Sequence, residues 1–153
     1  MDTLVLVDHK SLKIKWYLRK NFKRQHSPSI TKDGMILIFD NKGGSKNFGK
    51  TRIVSYNLNN KKFHSIFEGN NKFFFESLIR GRIQIFKNEI YITSSQQGEV
   101  FKLNCLNENL NECEPNLLFA SLNKDKPESI FVADFYSEDF FSKDFLIKLN
   151  QIQ

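Results

Sequence analysis

Long apolar runs are missing from this sequence, and so is any sustained helical periodicity. The apolar stretch that follows Met1-Asp2, Thr3-Leu4-Val5-Leu6-Val7, is too short for the core of a signal peptide and far too short to cross a bilayer as a helix. No targeting segment is read there, no membrane partner is expected, and the expectation is of a truncated protein, a fragment or one half of an assembly. Cysteine is scarce. Cys105 and Cys113 stand in Asn- and Glu-rich sequence without a histidine or a second cysteine pair at zinc-ligand spacing, so no metal and no cofactor is expected. The pair is compatible with a loop-closing disulfide in an oxidising compartment or with two unrelated thiols in the cytoplasm, and it does not decide the compartment.

Blocks of like charge are lacking too. The 23 Lys and Arg against 17 Asp and Glu leave a net charge of +6, but the basic residues are scattered, with one local cluster from Arg19-Lys20 to Lys23-Arg24. A solvated basic face accounts for that cluster, and no motif supports nucleic-acid recognition.

What is present is a soluble composition, 40% hydrophobic and 26% charged over 153 residues, enough for one domain with a core. Short β-type runs recur at intervals of about ten residues between polar turns. They are Thr3 to Asp8, Lys13 to Leu18, Met35 to Asp40, Arg52 to Asn57, Lys62 to Phe67, Gly81 to Phe86, Glu89 to Ser94, Gly98 to Leu103, Leu117 to Leu122, Ser129 to Asp134 and Phe145 to Leu149. Gly34-Met35-Ile36-Leu37-Ile38-Phe39-Asp40 parallels Asn88-Glu89-Ile90-Tyr91-Ile92-Thr93-Ser94. Their successors, Arg52 to Asn57 and Gly98 to Leu103, are also alike, and Thr3 to Leu18 reads as the same pair of strands.

Repetition of a few-strand unit at this period is the signature of propeller blades. The fold expected is all-β, a partial β-propeller of about three antiparallel blades. The division expected is residues 1–25 as the end of one blade, 26–70 as a second, 71–110 as a third and 111–153 as further strands. The 16 Phe residues, including Phe73-Phe74-Phe75, are read as core packing.

Gly44-Ser45-Lys46-Asn47-Phe48-Gly49-Lys50-Thr51 satisfies the phosphate-binding pattern GxxxxGK[ST]. That chemistry needs a helix after the loop, whose first amides cradle the phosphates. The run that follows, Arg52-Ile53-Val54-Ser55-Tyr56-Asn57, is β-branched and alternating. A polar surface loop is therefore the expectation, with a strand after Thr51. Ile130-Phe131-Val132-Ala133-Asp134 looks like a metal-binding strand end, yet no crossover helix joins it to the first box.

A second constellation carries more. Gln25-His26-Ser27-Pro28 is followed by a turn with Gly34, an apolar strand ending Phe39-Asp40-Asn41, a Gly-rich loop, and Thr51-Arg52-Ile53-Val54-Ser55-Tyr56-Asn57. Further on stand Glu76-Ser77-Leu78-Ile79-Arg80-Gly81 and Gln84-Ile85-Phe86-Lys87-Asn88. This order resembles the PAPS-independent arylsulfotransferases, a family of six-bladed propellers, over about Thr3 to Leu103.

The resemblance implies that His26 is a nucleophile that takes a sulfuryl group from an aryl sulfate and passes it from a sulfohistidine to a phenol. A neutral imidazole suits that task, because a covalent intermediate divides one difficult transfer into two. It further implies Arg52 and Arg80 as contacts for the sulfate oxygens, Asn41 as the residue that orients the His26 loop by hydrogen bonding, and an extracytoplasmic location. The family draws further site residues from blades before the Gln-His motif, and those are not in this chain. The bland reading of His26 is a turn histidine before Ser-Pro. His9, in a hairpin turn, and His64, on an exposed strand position, are read as structural. The rival to an enzyme is a non-catalytic propeller segment that binds or scaffolds, associating with itself or with missing N-terminal blades.

Overall fold

The structure is a computed structural model of the chain, and it describes residues 2–42, 49–105, 113–123, 126–130, 132–137 and 140. Among these there is no α-helix. The strands are β1 (Thr3–Val7), β2 (Ile14–Arg19), β3 (Gln25–Ile30), β4 (Met35–Asp40), β5 (Arg52–Asn57), β6 (Phe63–Glu68), β7 (Arg82–Phe86), β8 (Glu89–Ser94), β9 (Glu99–Cys105), β10 (Cys113–Ala120), β11 (Leu122–Asn123) and β12 (Lys126–Pro127). The protein is all-β. Strands β1-β2 form a two-stranded sheet, β3-β4-β5-β6 and β10-β9-β8-β7 form two four-stranded meanders, and β11-β12 is a two-residue ladder. Among the described residues all ladders are antiparallel, and no sheet closes on itself.

The sheets stack face to face, and the period-2 alternation of β4 shows why. Leu37 and Phe39 point into a core shared with the second meander, built from Ile53, Phe67, Phe75, Ile83, Ile92 and Phe101 among others. Ile36 and Ile38, on the opposite face, join Leu4, Leu18, Phe22, Val54 and Tyr56 in a separate core against β1-β2. Every residue of β4 is consequently buried. A strand covered on both sides reads as a continuous apolar run, which Met35-Ile36-Leu37-Ile38-Phe39 is.

The first of these cores is aromatic at its centre. Phe101 lies 5.6 Å from Phe67, 5.0 Å from Phe73 and 5.5 Å from Phe75, the last two edge-on as ring quadrupoles favour. The outer face of the second meander is crossed by the segment after β12. Ile130 N–H donates to the Ser95 carbonyl at 2.9 Å, Phe135 and Gln84 exchange two hydrogen bonds, Phe135 stacks on Tyr91 at 3.9 Å, and Asp134 pairs with Arg82 at 2.5 Å.

Several sequence expectations change here. Gln25 to Ile30 is a strand, where Ser27-Pro28-Ser29 had read as a turn. The chain reconciles the two by a bulge between His26 and Ser29, with Ser27 at φ 48°. Strand β10 starts at Cys113 rather than Leu117, because pairing with β9 overrides the turn chemistry of Glu114-Pro115-Asn116. Described residues between Ser129 and Asp134 form no strand, although Ile130 N–H donates to the Ser95 carbonyl and Ala133 N–H to the Thr93 hydroxyl. The expected strand from Phe145 to Leu149 lies outside the described residues. Cys105 and Cys113 are direct cross-strand partners and are joined as a disulfide.

The repeat also shifts by one strand. The β1-β2 turn reproduces the β5-β6 turn bond for bond: Asp8 N–H donates to Lys13 O at 2.9 Å and Leu12 N–H to Asp8 O at 2.8 Å, as Asn57 N–H does to Lys62 O at 2.9 Å and Lys61 N–H to Asn57 O at 2.9 Å. Asp8 Oδ1 accepts from Ser11 N–H, as Asn57 Oδ1 does from Asn60 N–H, and Leu12 and Lys61 have φ 55° and 58°. The first hairpin is thus equivalent to β5-β6 and not to β4-β5.

Two outcomes are expected. Phe101→Ala removes a fully buried ring and should lower unfolding stability by about 3–5 kcal/mol in urea titrations. Glu99 carries a buried carboxylate oxygen with no hydrogen-bond partner among the described residues, and burial pushes its pKa above 4.5. A raised acid contributes stability below its unfolded pKa that is lost as pH rises through its folded one. Glu99→Gln should therefore raise the denaturation midpoint at pH 8 and leave it nearly unchanged at pH 4.

Candidate functional site

The residues singled out in the sequence gather where β3 begins, β4 ends and β7 is entered. Strand β4 closes with Asp40, which is fully buried and surrounded by donors. Its Oδ1 accepts from Lys23 N–H at 2.8 Å and Lys42 N–H at 3.3 Å, and its Oδ2 lies 3.0 Å from Arg52 Nε and 3.6 Å from Lys42 Nζ. Both cations also donate to the Asn21 carbonyl, at 2.9 Å from Arg52 Nη2 and 2.6 Å from Lys42 Nζ. A buried carboxylate is tolerated when it is paired and its lone pairs are filled, and here they are. Burial pulls the Lys42 ammonium down from its ordinary pKa while Asp40 opposes that shift. Arg52 is committed to this ion cluster.

Asn41, also fully buried, continues the chain into a loop clamp. Its Nδ2 donates to the carbonyls of Ser77 at 2.8 Å and Arg80 at 2.6 Å, while its Oδ1 has no partner. Thr51 Oγ1 accepts from Ser77 N–H at 2.9 Å, and Ser77 Oγ lies 2.9 Å from Ile79 O and 3.1 Å from Arg80 O. From the other sheet, Gln96 Oε1 accepts from the amides of Leu78 and Ile79. The segment 77–80 is held on both sides.

That clamp delivers the main chain of Arg80 to His26. The Arg80 N–H donates to His26 Nε2 at 3.3 Å, so Nε2 carries the lone pair and the imidazole proton sits on Nδ1. His26 is half-buried, and desolvation lowers its pKa from 6.5. Arg80 has φ 68° and Gly81 φ 135°, and a Cβ at Gly81 would lie 2.4 Å from the buried ring of Phe39. Only glycine lets the chain turn over Phe39 there.

Ser27, next to His26, ties β3 to β7. Its hydroxyl lies 3.1 Å from the Ile83 carbonyl and accepts from Ile83 N–H at 3.0 Å, and Ser29 Oγ donates to the same carbonyl at 3.2 Å. The structure thus brings His26, Asn41 and the backbone of Arg80 together. It places Arg52 in the separate Asp40 cluster, and Asn41 holds the 77–80 loop rather than the His26 strand. Asp40, Thr51 and Ser77 were not picked out as functional. Their signal was only that they stand inside the quoted motifs, next to the residues singled out.

Thr51 is followed directly by β5, a strand, which removes the helix a phosphate-binding loop requires; residues 43–48 lie outside the described ones. Among the described residues no three His, Cys, Asp or Glu side chains come together as metal ligands. Among the described residues no helix is long and apolar enough to cross a membrane. An open cleft of about 870 Å³, lined by Ile30, Lys32, Lys87, Glu89 and Lys102 among others, lies at the far end of β3 and does not include His26. No family model, no curated protein and no solved structure matches the chain.

The state of His26 has a pH consequence. A histidine whose folded pKa lies below its unfolded one leaves the unfolded chain binding more protons in that window, so stability falls as pH drops through 6.5 toward the folded value. In an NMR titration the His26 ring should show a midpoint below 6.5, and His26→Gln should flatten the stability–pH curve between pH 7 and pH 5.

Proposed function

We propose that this chain is an arylsulfotransferase-like protein built from blades of a β-propeller, and that His26 transfers a sulfuryl group from an aryl sulfate to a phenol. The observation that carries the reading is His26 itself. It is a half-buried imidazole, its pKa lowered by desolvation, whose Nε2 accepts from the backbone N–H of Arg80 at 3.3 Å. The Gln25-His26 and Phe39-Asp40-Asn41 motifs, which resemble that family, stand on paired strands with Gln25 opposite Asp40 and His26 opposite Phe39. Two four-stranded meanders whose first strands abut through Ser27 and Ile83 are what adjacent blades require, since first strands line the axis of a propeller.

In the first step Nε2 attacks the ester sulfur, the S–N bond forms, and the S–O bond to the aryl group breaks with its electron pair leaving on the phenolate. In the second a phenol oxygen attacks the same sulfur, loses its proton to solvent or buffer, and frees the imidazole. The 3.3 Å bond to Arg80 is long and must open for Nε2 to react, after which that N–H and the Arg80 guanidinium are donors for the sulfuryl oxygens. Arg52 serves by neutralising Asp40, which fixes the end of β4.

A second reading is a non-catalytic module that binds or scaffolds. It is favoured by the short first sheet and by the engagement of Nε2 in a hydrogen bond. Incubation with 4-nitrophenyl sulfate and a phenol acceptor separates the two. The enzyme reading expects nitrophenol release and a sulfated protein mass, both lost by at least about a thousandfold in His26→Ala. Folded wild-type protein that gives neither product nor adduct would leave the second reading.

A further inference from the structure

The equivalence of the β1-β2 and β5-β6 turns has a structural corollary at the first sheet. Aligning Asp8 with Asn57 sets Val7 against Tyr56, Val5 against Val54 and Thr3 against Arg52. In the first meander the far edge of β5 is filled by β4, with Ile36 opposite Tyr56 and Ile38 opposite Val54. On β1 the corresponding edge has no strand among the described residues.

Exposure follows the same correspondence. Leu4, which aligns with Ile53, is buried at 8% as Ile53 is at 0%, whereas Val5 and Val7 are 52% and 47% exposed because no layer among the described residues covers them as β1-β2 covers Val54 and Tyr56. The composition of β1 points the same way. Exposed sheet edges are ordinarily blunted by proline, bulges or charge. Strand β3 has Pro28 and a bulge, β10 has Pro115 and a bulge, and the edge of β7 is capped at Ile83 by Ser27. Thr3-Leu4-Val5-Leu6-Val7 has neither proline nor charge, although its ladder with β2 shifts register between Leu6 and Val7, and among the described residues the Thr3 carbonyl accepts from Gln25 Nε2 at 3.2 Å.

We propose that β1-β2 is the outer half of a four-stranded sheet, and that the open edge of β1 binds an antiparallel two-stranded hairpin of the β3-β4 kind, whose second strand is apolar. The partner is a polypeptide carrying the same repeat. Main-chain hydrogen bonds supply the affinity, and alternate apolar side chains supply the register. The incoming strand pairs with β1 as β4 pairs with β5, one residue opposite Val7 and the next but one opposite Val5. The inference rests on the repeated turn and on the edge of β1, not on chemistry at His26.

The test is amide hydrogen exchange of the full chain, monomeric by light scattering, with and without a synthetic peptide of the sequence from Gln25 to Asn41. In the chain alone, alternate amides of Thr3–Val7 should exchange as fast as those of the exposed turn at Lys10. With the peptide in excess these should slow by at least about tenfold, and a peptide with Ile36→Lys and Ile38→Lys should leave them unchanged. Protection of those amides in the monomer alone would overturn the proposal, because the chain would already fill its own edge. It would equally be overturned by a peptide that slows nothing, or that slows β6 and β10 instead of β1.

Discussion

Strand β4 has no solvent face, and the rest of the molecule is arranged around that constraint. Five consecutive apolar residues can be accommodated only if both sides of the strand meet another sheet, so Leu37 and Phe39 recruit the second meander while Ile36 and Ile38 recruit the first hairpin. The strand then has to stop without leaving its terminal polar groups unpaired in a dry interior. Asp40 meets that requirement with Lys42, Arg52 and two backbone amides, and Asn41 meets it by bonding the Ser77 and Arg80 carbonyls.

The geometry at His26 follows from how β4 ends. Because Asn41 anchors the 77–80 loop, the Arg80 amide is held against the imidazole. Because Gly81 can turn over the Phe39 ring, that loop can enter β7 at the level where Ser27 caps it. The histidine is not buried for its own sake. It occupies the seam between two meanders, where β3 is too bulged to continue a regular ladder and a side chain can reach across.

The sequence made the interior strands legible and the seams less so. Met35 to Asp40, Arg52 to Asn57 and Glu89 to Ser94 were read with their observed limits, because strands buried on one or both faces have strong apolar or β-branched patterns. Strand β3 was missed because Ser27-Pro28-Ser29 has the chemistry of a turn, and only the bulge and the contact with Ile83 make it a strand. His26, Asn41 and Arg80 were found together by motif order. Arg52 was misplaced as a ligand, since nothing local announces that Asp40, directly across the ladder, would claim it. The frame of the repeat was equally hidden. Apolar strands look alike, and the correct alignment lay in the turn residues Asp8 and Asn57, which share their role but not their identity.

The stacking of sheets divides the interior into two cores that have no residue in common, and they meet through the thickness of β4, β5 and β6, the last giving Ile66 and Phe67 to one core and Phe63 to the other. Such a molecule is close to one-dimensional, each layer contributing its own stability and a coupling to its neighbours. Cooperativity then depends on those three strands. Loss of the first hairpin would strip one face of the first meander and leave the Phe101 cluster standing, so partial unfolding has a natural first step at the N-terminal layer.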